Sequence, residues 1–387
     1  MQSCGLYRAL PPAAQRAAGM IYALFLVGVS AVLALWLHPS IARWAQRAGA
    51  VDVPDERKKH LGPIPRAGGT TILVAAVLTF GVGALSSDWI AHMWRISLPN
   101  PHWVALAGLS MWLLGAVDDV HRLRAGPKAS VQACAALLTW YAGVRVSLVT
   151  NPLGGTPLPV TDLSLPITVL WIMIITNAFN LVDGLDGLAS GLAAIAMIGY
   201  SLVALVRGET ATLYLIAPFL GALIGFAPYN FPRATAFLGD SGSYLLGYML
   251  AVLSLLGNQK SATALLTFAP LLFVGLPIVD VLATMLRRFV ASAHEPMLTR
   301  IRIMFQPDRR HLHHLLVDSG VESRRATLTL AGVSTVLSLC GLGALLMTDR
   351  RLALFLALLG LIFLLLVVAV GAWLTSQREA SPSDNAP

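Results

Sequence analysis

Five short stretches of this 387-residue chain hold residue types that can do chemistry together. Asp118 and Asp119 are adjacent acids at the end of an apolar run, Leu-Leu-Gly-Ala-Val-Asp-Asp-Val-His. Two neighbouring carboxylates at a membrane helix end are costly unless a cation or a basic partner neutralises them. They suit a Mg²⁺ site or general-base work. A plain solvated helix terminus explains them poorly, because the C-terminal dipole is already negative. Lys128 follows ten residues after Asp118, either as a topology anchor or as a ligand for a lipid phosphate. Residues 177–188 read Asn-Ala-Phe-Asn-Leu-Val-Asp-Gly-Leu-Asp-Gly-Leu. Asn177, Asn180, Asp183 and Asp186 recur at every third residue, which makes one polar stripe if a helix continues. The two Asp-Gly pairs instead suggest a helix that ends, turns and re-enters near Gly187, with Asp186 a possible cap. Asp240, in Phe-Leu-Gly-Asp-Ser-Gly-Ser, opens another apolar run as an N-cap, a metal ligand or part of a phosphate cradle. Asn230 and Phe237 lie just upstream, and an aromatic can stack on a nucleobase. His311, His313 and His314 stand in Pro-Asp-Arg-Arg-His-Leu-His-His beside Arg309 and Arg310. The arginines and the lack of nearby cysteine favour anion binding over a metal site.

These groups must be positioned by an unusual chain. Only 12% of residues are charged, 56% are hydrophobic, and mean hydropathy is +0.72. A soluble domain carries about 25% charged residues, so the composition excludes a disordered protein and argues against an ordinary soluble enzyme. Cys4, Cys134 and Cys340 are scattered, which argues against a disulfide framework or a zinc site. A net charge of +8 could mean nucleic acid, unless the bases sit in short loops between apolar spans.

They do. Apolar runs of about 18–20 residues cross a bilayer as helices. Eleven are expected, near 18–38, 67–87, 101–118, 129–149, 164–181, 187–206, 211–228, 241–257, 262–286, 327–347 and 352–375. The first is read as an anchor, since no cleavage site convincingly follows it. The expected organisation is an N-terminal tail (1–17), one integral-membrane domain (18–375) and a C-terminal tail (376–387), with no tandem repeat. Of the 27 Lys and Arg, 19 fall on one side of this pattern, which makes that side cytoplasmic. The N-terminus is then periplasmic and the C-terminus cytoplasmic. Fifteen of the 19 acids also lie on the cytoplasmic side or just inside it, a bias that topology rules do not demand. Lys58, Lys59, His60 and Arg66 in the first loop read as topology charges, and Gly68-Gly69 permits close backbone approach. Arg287, Arg288, Arg300 and Arg302 add cationic charge; the Arg-Ile-Arg-Ile alternation reads as a short strand or an interfacial segment. Acids among bases at one membrane face suit Mg²⁺-assisted phosphoryl transfer. A transporter would instead place polar groups at the midplane on paired repeats, and a membrane scaffold would need none of them.

From about residue 50 to 318 these motifs occur in an order that resembles the polyprenyl-phosphate N-acetylhexosamine-1-phosphate transferase superfamily, glycosyltransferase family 4. The His-Leu-His-His run is similar to the WecA/TagO-like branch, whereas the peptidoglycan branch carries three consecutive histidines that Leu312 interrupts here. The resemblance implies an all-α polytopic enzyme of eleven transmembrane helices in the bacterial inner membrane, with a cytoplasmic site and often a homodimer. It implies transfer of a sugar 1-phosphate from a UDP-N-acetylhexosamine to undecaprenyl phosphate, releasing UMP and starting a cell-envelope glycan such as O-antigen lipopolysaccharide. UDP-GlcNAc is the leading donor, another UDP-N-acetylhexosamine such as a 6-deoxy sugar the alternative. The link from Arg288 to Pro307 is longer than usual in that branch, so the sugar stays open. By motif match, Asp240 and Asp119 hold Mg²⁺ (or Mn²⁺ in its place). Asp118 deprotonates or positions the lipid phosphate, and Lys128 binds it. Asp183 and Asp186, counted with Asp118 and Asp119 as catalytic, contact metal or nucleotide, as does Asn180, and Asn177 binds substrate. Asn230 and Phe237 hold uracil, and Arg309, His311, His313 and His314 the sugar diphosphate. Direct attack is favoured over a covalent aspartyl intermediate, because positioning and Mg²⁺ suffice.

Overall fold

A computed structural model describes residues 12–53, 62–86, 98, 100–146, 148–149, 158–159, 162–259, 271–304, 311–347 and 349–380. The chain is mostly helical because its sequence is mostly apolar runs bounded by Gly, Pro and charge. In order the helices are α1 (Pro12–Arg47), α2 (Gly68–Ser86), α3 (Pro101–His121), α4 (Ala125–Tyr141), α5 (Ser164–Val182), α6 (Leu188–Arg207), α7 (Thr210–Asn230), α8 (Gly239–Gln259), α9 (Gly275–Ala291), α10 (Met297–Met304), α11 (Leu312–Asp318), α12 (Ser323–Leu346) and α13 (Arg350–Ala380). Among the described residues, eight of them are long and apolar enough to cross a membrane: α1, α2, α3, α5, α6, α7, α12 and α13. The 17-residue α4 and α9 are shorter, and α8 is more polar at its ends. The protein is thus an all-α polytopic membrane protein.

The centre of the bundle is α8. Every residue from 244 to 256 is buried, and α2, α3, α5 and α6 pack around it. A helix apolar on all sides belongs at such a centre. At the periphery, α13 exposes Phe355, Ile362, Leu366 and Trp373, an apolar surface of the kind that meets lipid or another protein. Helices approach closely where side chains are missing, as is usual in membranes. A Cβ on Gly225 would lie 2.2 Å from the Ala31 carbonyl oxygen, which lets α7 lie against α1.

The elements meet the expectations with instructive differences. The fourth expected span runs to 149, but α4 stops at Tyr141, because Gly143 turns the chain at φ 93°. The Arg-Ile-Arg-Ile segment is not a strand: it lies in α10, and Arg300 folds back so that its guanidinium donates to the Phe289 carbonyl at 3.0 Å and lies over the Phe289 ring. The helix ending at Val182 does not continue. Asp183 leaves helical geometry (φ −76°, ψ 50°) and Gly187, at φ 70°, starts α6. The polar stripe is therefore a turn. A two-stranded pair, β1 (Val51–Asp52) with β2 (Ile64–Pro65), lies at the same end of the bundle. It continues into a bridge from Arg66 to Phe237, with Gly68 and Gly69 donating to the Phe237 and Leu238 carbonyls at 3.0 and 2.9 Å. A second pair, β3 (Leu148–Val149) with β4 (Leu158–Pro159), lies between α4 and α5.

Candidate active site

The site gathers on the N-terminus of α8. Gly69 of α2 and Gly115 of α3 admit that terminus: a Cβ on Gly69 would sit 2.1 Å from Gly242 N, and one on Gly115 2.2 Å from the Asp240 carbonyl oxygen. Asp119, at the end of α3, then caps it. Its Oδ1 accepts the Asp240 N–H at 2.9 Å and its Oδ2 the Ser241 N–H at 3.1 Å. Helix N-termini leave such donors unpaired, and carboxylates suit them. The capping role that the sequence offered to Asp240 belongs to Asp119, which lies 121 residues away in the chain. Behind Asp119 stands Arg66, 3.5 Å from its Oδ1 and 2.8 Å from Asp52 Oδ1. Arg66 is therefore more than a topology charge.

With its backbone held, Asp240 turns its carboxylate to Asn180, whose Nδ2 donates to Oδ1 at 2.6 Å and to Ser243 Oγ at 3.0 Å. Asp118 adjoins Asp240. It is buried, accepts the Leu123 N–H at 2.6 Å, and pairs with Lys128 Nζ through Oδ2. The chain can bring Lys128 back because Arg122 takes a left-handed conformation (φ 47°) that reverses it directly after α3. Burial first, then the charges of Asp240 and Asp119, push the Asp183 carboxyl well above the usual carboxylate range. Among the described residues the cluster holds more carboxylates than the two cations paired with it, Arg66 and Lys128, and this crowding of acids contributes to the rise at Asp183. Among the described residues no three His, Cys, Asp or Glu side chains form a complete metal cage. Mg²⁺ does not need one: it is ordinarily bound by one or two carboxylates plus substrate phosphates. The residues present fit that mode.

Other expected site residues have different partners. Asn177 exchanges hydrogen bonds with buried Gln132 (Nδ2 to Oε1 at 2.7 Å, with the return bond at 3.3 Å), so its amide joins α5 to α4. Asn230 is buried; it accepts the Ser190 hydroxyl at 2.6 Å and donates to the Ala236 carbonyl at 3.0 Å. That shapes the loop carrying Phe237, which is half-buried. Asp186 Oδ2 accepts the Ala234 N–H at 3.0 Å, tying the same loop to the α5–α6 turn. It does not cap α6, whose N-cap is Gly187. His313 is buried, and among the described residues neither ring nitrogen has a hydrogen-bond partner. A Cβ on Gly184 would lie 2.3 Å from His313 Nε2, so the histidine run meets the Asp183-Gly184 turn directly. The His314 ring is 4.2 Å from that of His313. Arg309 lies outside the described residues. Sequence reasoning passed over Gln132 and Asp280. The signal for Asp280 was available: an acid inside an apolar span is a functional pointer by default.

The family follows from comparison with known proteins. A family model described as glycosyl transferase family 4 matches residues 102–258, the stretch from α3 to α8 that builds most of this cluster. A probable undecaprenyl-phosphate N-acetylglucosaminyl 1-phosphate transferase of Bacillus subtilis is 32% identical over 342 residues, covering 88% of this chain and 90% of its own. The chain belongs to glycosyl transferase family 4. Within the family it is also similar to a decaprenyl-phosphate N-acetylglucosaminephosphotransferase of Mycobacterium tuberculosis, 34% identical over 79% of this chain and 78% of the relative. An undecaprenyl-phosphate alpha-N-acetylglucosaminyl 1-phosphate transferase of Escherichia coli is 27% identical over 77% of each chain.

Proposed function

We propose that this family 4 protein transfers N-acetylhexosamine-1-phosphate, with GlcNAc the leading sugar, from a UDP-sugar to undecaprenyl phosphate. The observation that carries the reading is the Lys128–Asp118 pair beside Asp240 and Asn180, an anion site and an acid cluster side by side at one end of a membrane bundle. Lys128 holds the lipid phosphate at the level where an isoprenoid tail enters the bilayer. Asp118 orients Lys128 and so positions the lipid phosphate monoester, whose second pKa near 6 leaves it largely ionised at neutral pH. A lipid phosphate oxygen forms the new bond to the sugar-bearing phosphorus, the P–O–P bond breaks, and UMP leaves with the electron pair. Asp240, with Asp119, would hold Mg²⁺, or Mn²⁺ in its place, which supplies charge neutralisation along the diphosphate. Asn180 keeps the Asp240 carboxylate aimed, and His311, His313 and His314 meet the sugar diphosphate. The loop of Asn230 and Phe237 is the candidate uracil contact. Taken with eleven spans in the inner membrane, the bias of basic residues supports a cytoplasmic site.

The test is UMP release by the purified protein with undecaprenyl phosphate and a panel of UDP-sugars, with and without EDTA. Release that needs both the lipid and a divalent ion is expected, fastest with UDP-GlcNAc. No release with any UDP-N-acetylhexosamine, or release without the lipid, would overturn the reading.

A further inference from the structure

Asp280 is buried in α9, a helix whose Leu276, Ile278 and Val281 are buried too. A carboxylate in such surroundings is costly unless it is partnered. Its partners come from residues that follow α10. Oδ1 accepts the Leu312 N–H at 2.9 Å, and Oδ2 faces His311 Nδ1 at 3.0 Å. An ionised carboxylate only accepts, so the imidazole nitrogen facing it carries the proton. Nε2 is left as the other polar atom of the ring. The His311 ring is nearly parallel to that of His313, at 5° and 6.0 Å between centroids. His313 in turn abuts Gly184. One buried carboxylate thereby sets the histidine run against the Asp183 turn.

We propose that Asp280 is a positioning residue for the nucleotide-sugar. By accepting the Nδ1 proton it fixes the tautomer and plane of His311 and presents Nε2 to the donor's diphosphate. With a second proton Nε2 donates to a phosphate oxygen, and the carboxylate behind the ring balances the charge. The inference rests on the transferase reading above for its ligand, but not for its geometry.

Asp280→Asn tests it while keeping side-chain volume. The amide oxygen can still accept the Leu312 N–H, but the NH₂ now donates to Nδ1 and drives the ring proton to Nε2. ¹⁵N-histidine NMR of the full-length protein in nanodiscs reads this directly, with the His311 signal assigned by its loss in His311→Gln. Nδ1 should be protonated in the unaltered protein and bare in Asp280→Asn. The KM for the UDP-sugar should rise roughly 10- to 100-fold, the worth of one charge-assisted hydrogen bond, while the KM for undecaprenyl phosphate stays within about twofold. Asp280→Asn combined with His311→Gln should be no worse than His311→Gln alone. An unchanged His311 tautomer in Asp280→Asn, equal KM rises for both substrates, or additive losses would each refute the proposal. Should Asp280→Asn fail to fold, His311→Gln alone must show the donor-specific KM rise; a loss confined to kcat overturns it. Unaltered protein that releases no UMP sinks the transferase reading instead, and the tautomer shift then decides the positioning role by itself.

Discussion

Gly115→Ala is a one-carbon change that should disable the enzyme through geometry alone. The added Cβ would lie 2.2 Å from the Asp240 carbonyl oxygen and 2.3 Å from Ser241 N, whereas ordinary contact begins at 3.4 Å. Restoring contact takes 3.4 less 2.2, or 1.2 Å, and the obstacle is backbone on both sides, so no side chain can swing away. The start of α8 must back off by about that distance from α3. Asp240 moves with it, away from the 2.9 Å cap bond of Asp119 and off the 2.6 Å hydrogen bond of Asn180. Overpacking of this kind costs about 1–3 kcal/mol of stability, and a misplacement of about 1 Å costs on the order of 10²-fold in rate. The assay is kcat for UMP release with thermal denaturation in parallel. Gly81→Ala serves as the control, because a Cβ there meets nothing within 4 Å; its activity and folding should match the parent. If Gly115→Ala keeps kcat within about threefold, under 1 kcal/mol, the packing argument for the site is wrong.

Three further outcomes are expected. Asp119→Asn turns an NH₂ toward one of the two N–H groups the carboxylate now accepts; it should lower stability by about 1–3 kcal/mol and impair turnover, and an unchanged melting temperature would remove Asp119 from its capping role. Asn177→Leu leaves the buried Gln132 amide unpaired; stability should fall by about 1–3 kcal/mol with both KM values unmoved, and Gln132→Leu added to it should restore part of the loss, whereas a KM rise would return Asn177 to the binding site. Burial first, then His314 and His311, holds His313 at about 3 against an ordinary 6.5. The unfolded chain therefore binds more protons between those values, and stability should decline as pH falls from about 6.5 toward 3. His313→Gln should flatten that acid decline in melting temperature; an unaltered slope contradicts the assignment.

Much of the site was legible as an inventory. Asp118, Asp119, Asn180, Asp183, Asp240 and Lys128 are named by residue type and spacing, and they do converge at one end of the bundle. Roles were less legible. Nothing local says that Asp119 serves the amides of residues 240 and 241, that Asn177 faces Gln132, or that Arg66 stands behind Asp119. The end of α4 at Tyr141 was missed because hydropathy continues past the point where Gly143 turns the chain. Asp280 was missed because a single acid in an apolar run barely lowers its mean hydropathy.

What the sequence alone determined is the solvent and the chemical class. Apolar length and the placement of charge are properties of each segment, so they can be read one segment at a time. What only the tertiary structure decided is which polar atom each carboxylate faces. For a buried carboxylate, that partner determines whether the acid caps a helix, orients a lysine or an imidazole, or stays available to a cation. Those partners lie 121, 60 and 31 residues apart in the chain, and at the start of α8 they are brought together by glycine contacts whose effect depends on what lies opposite.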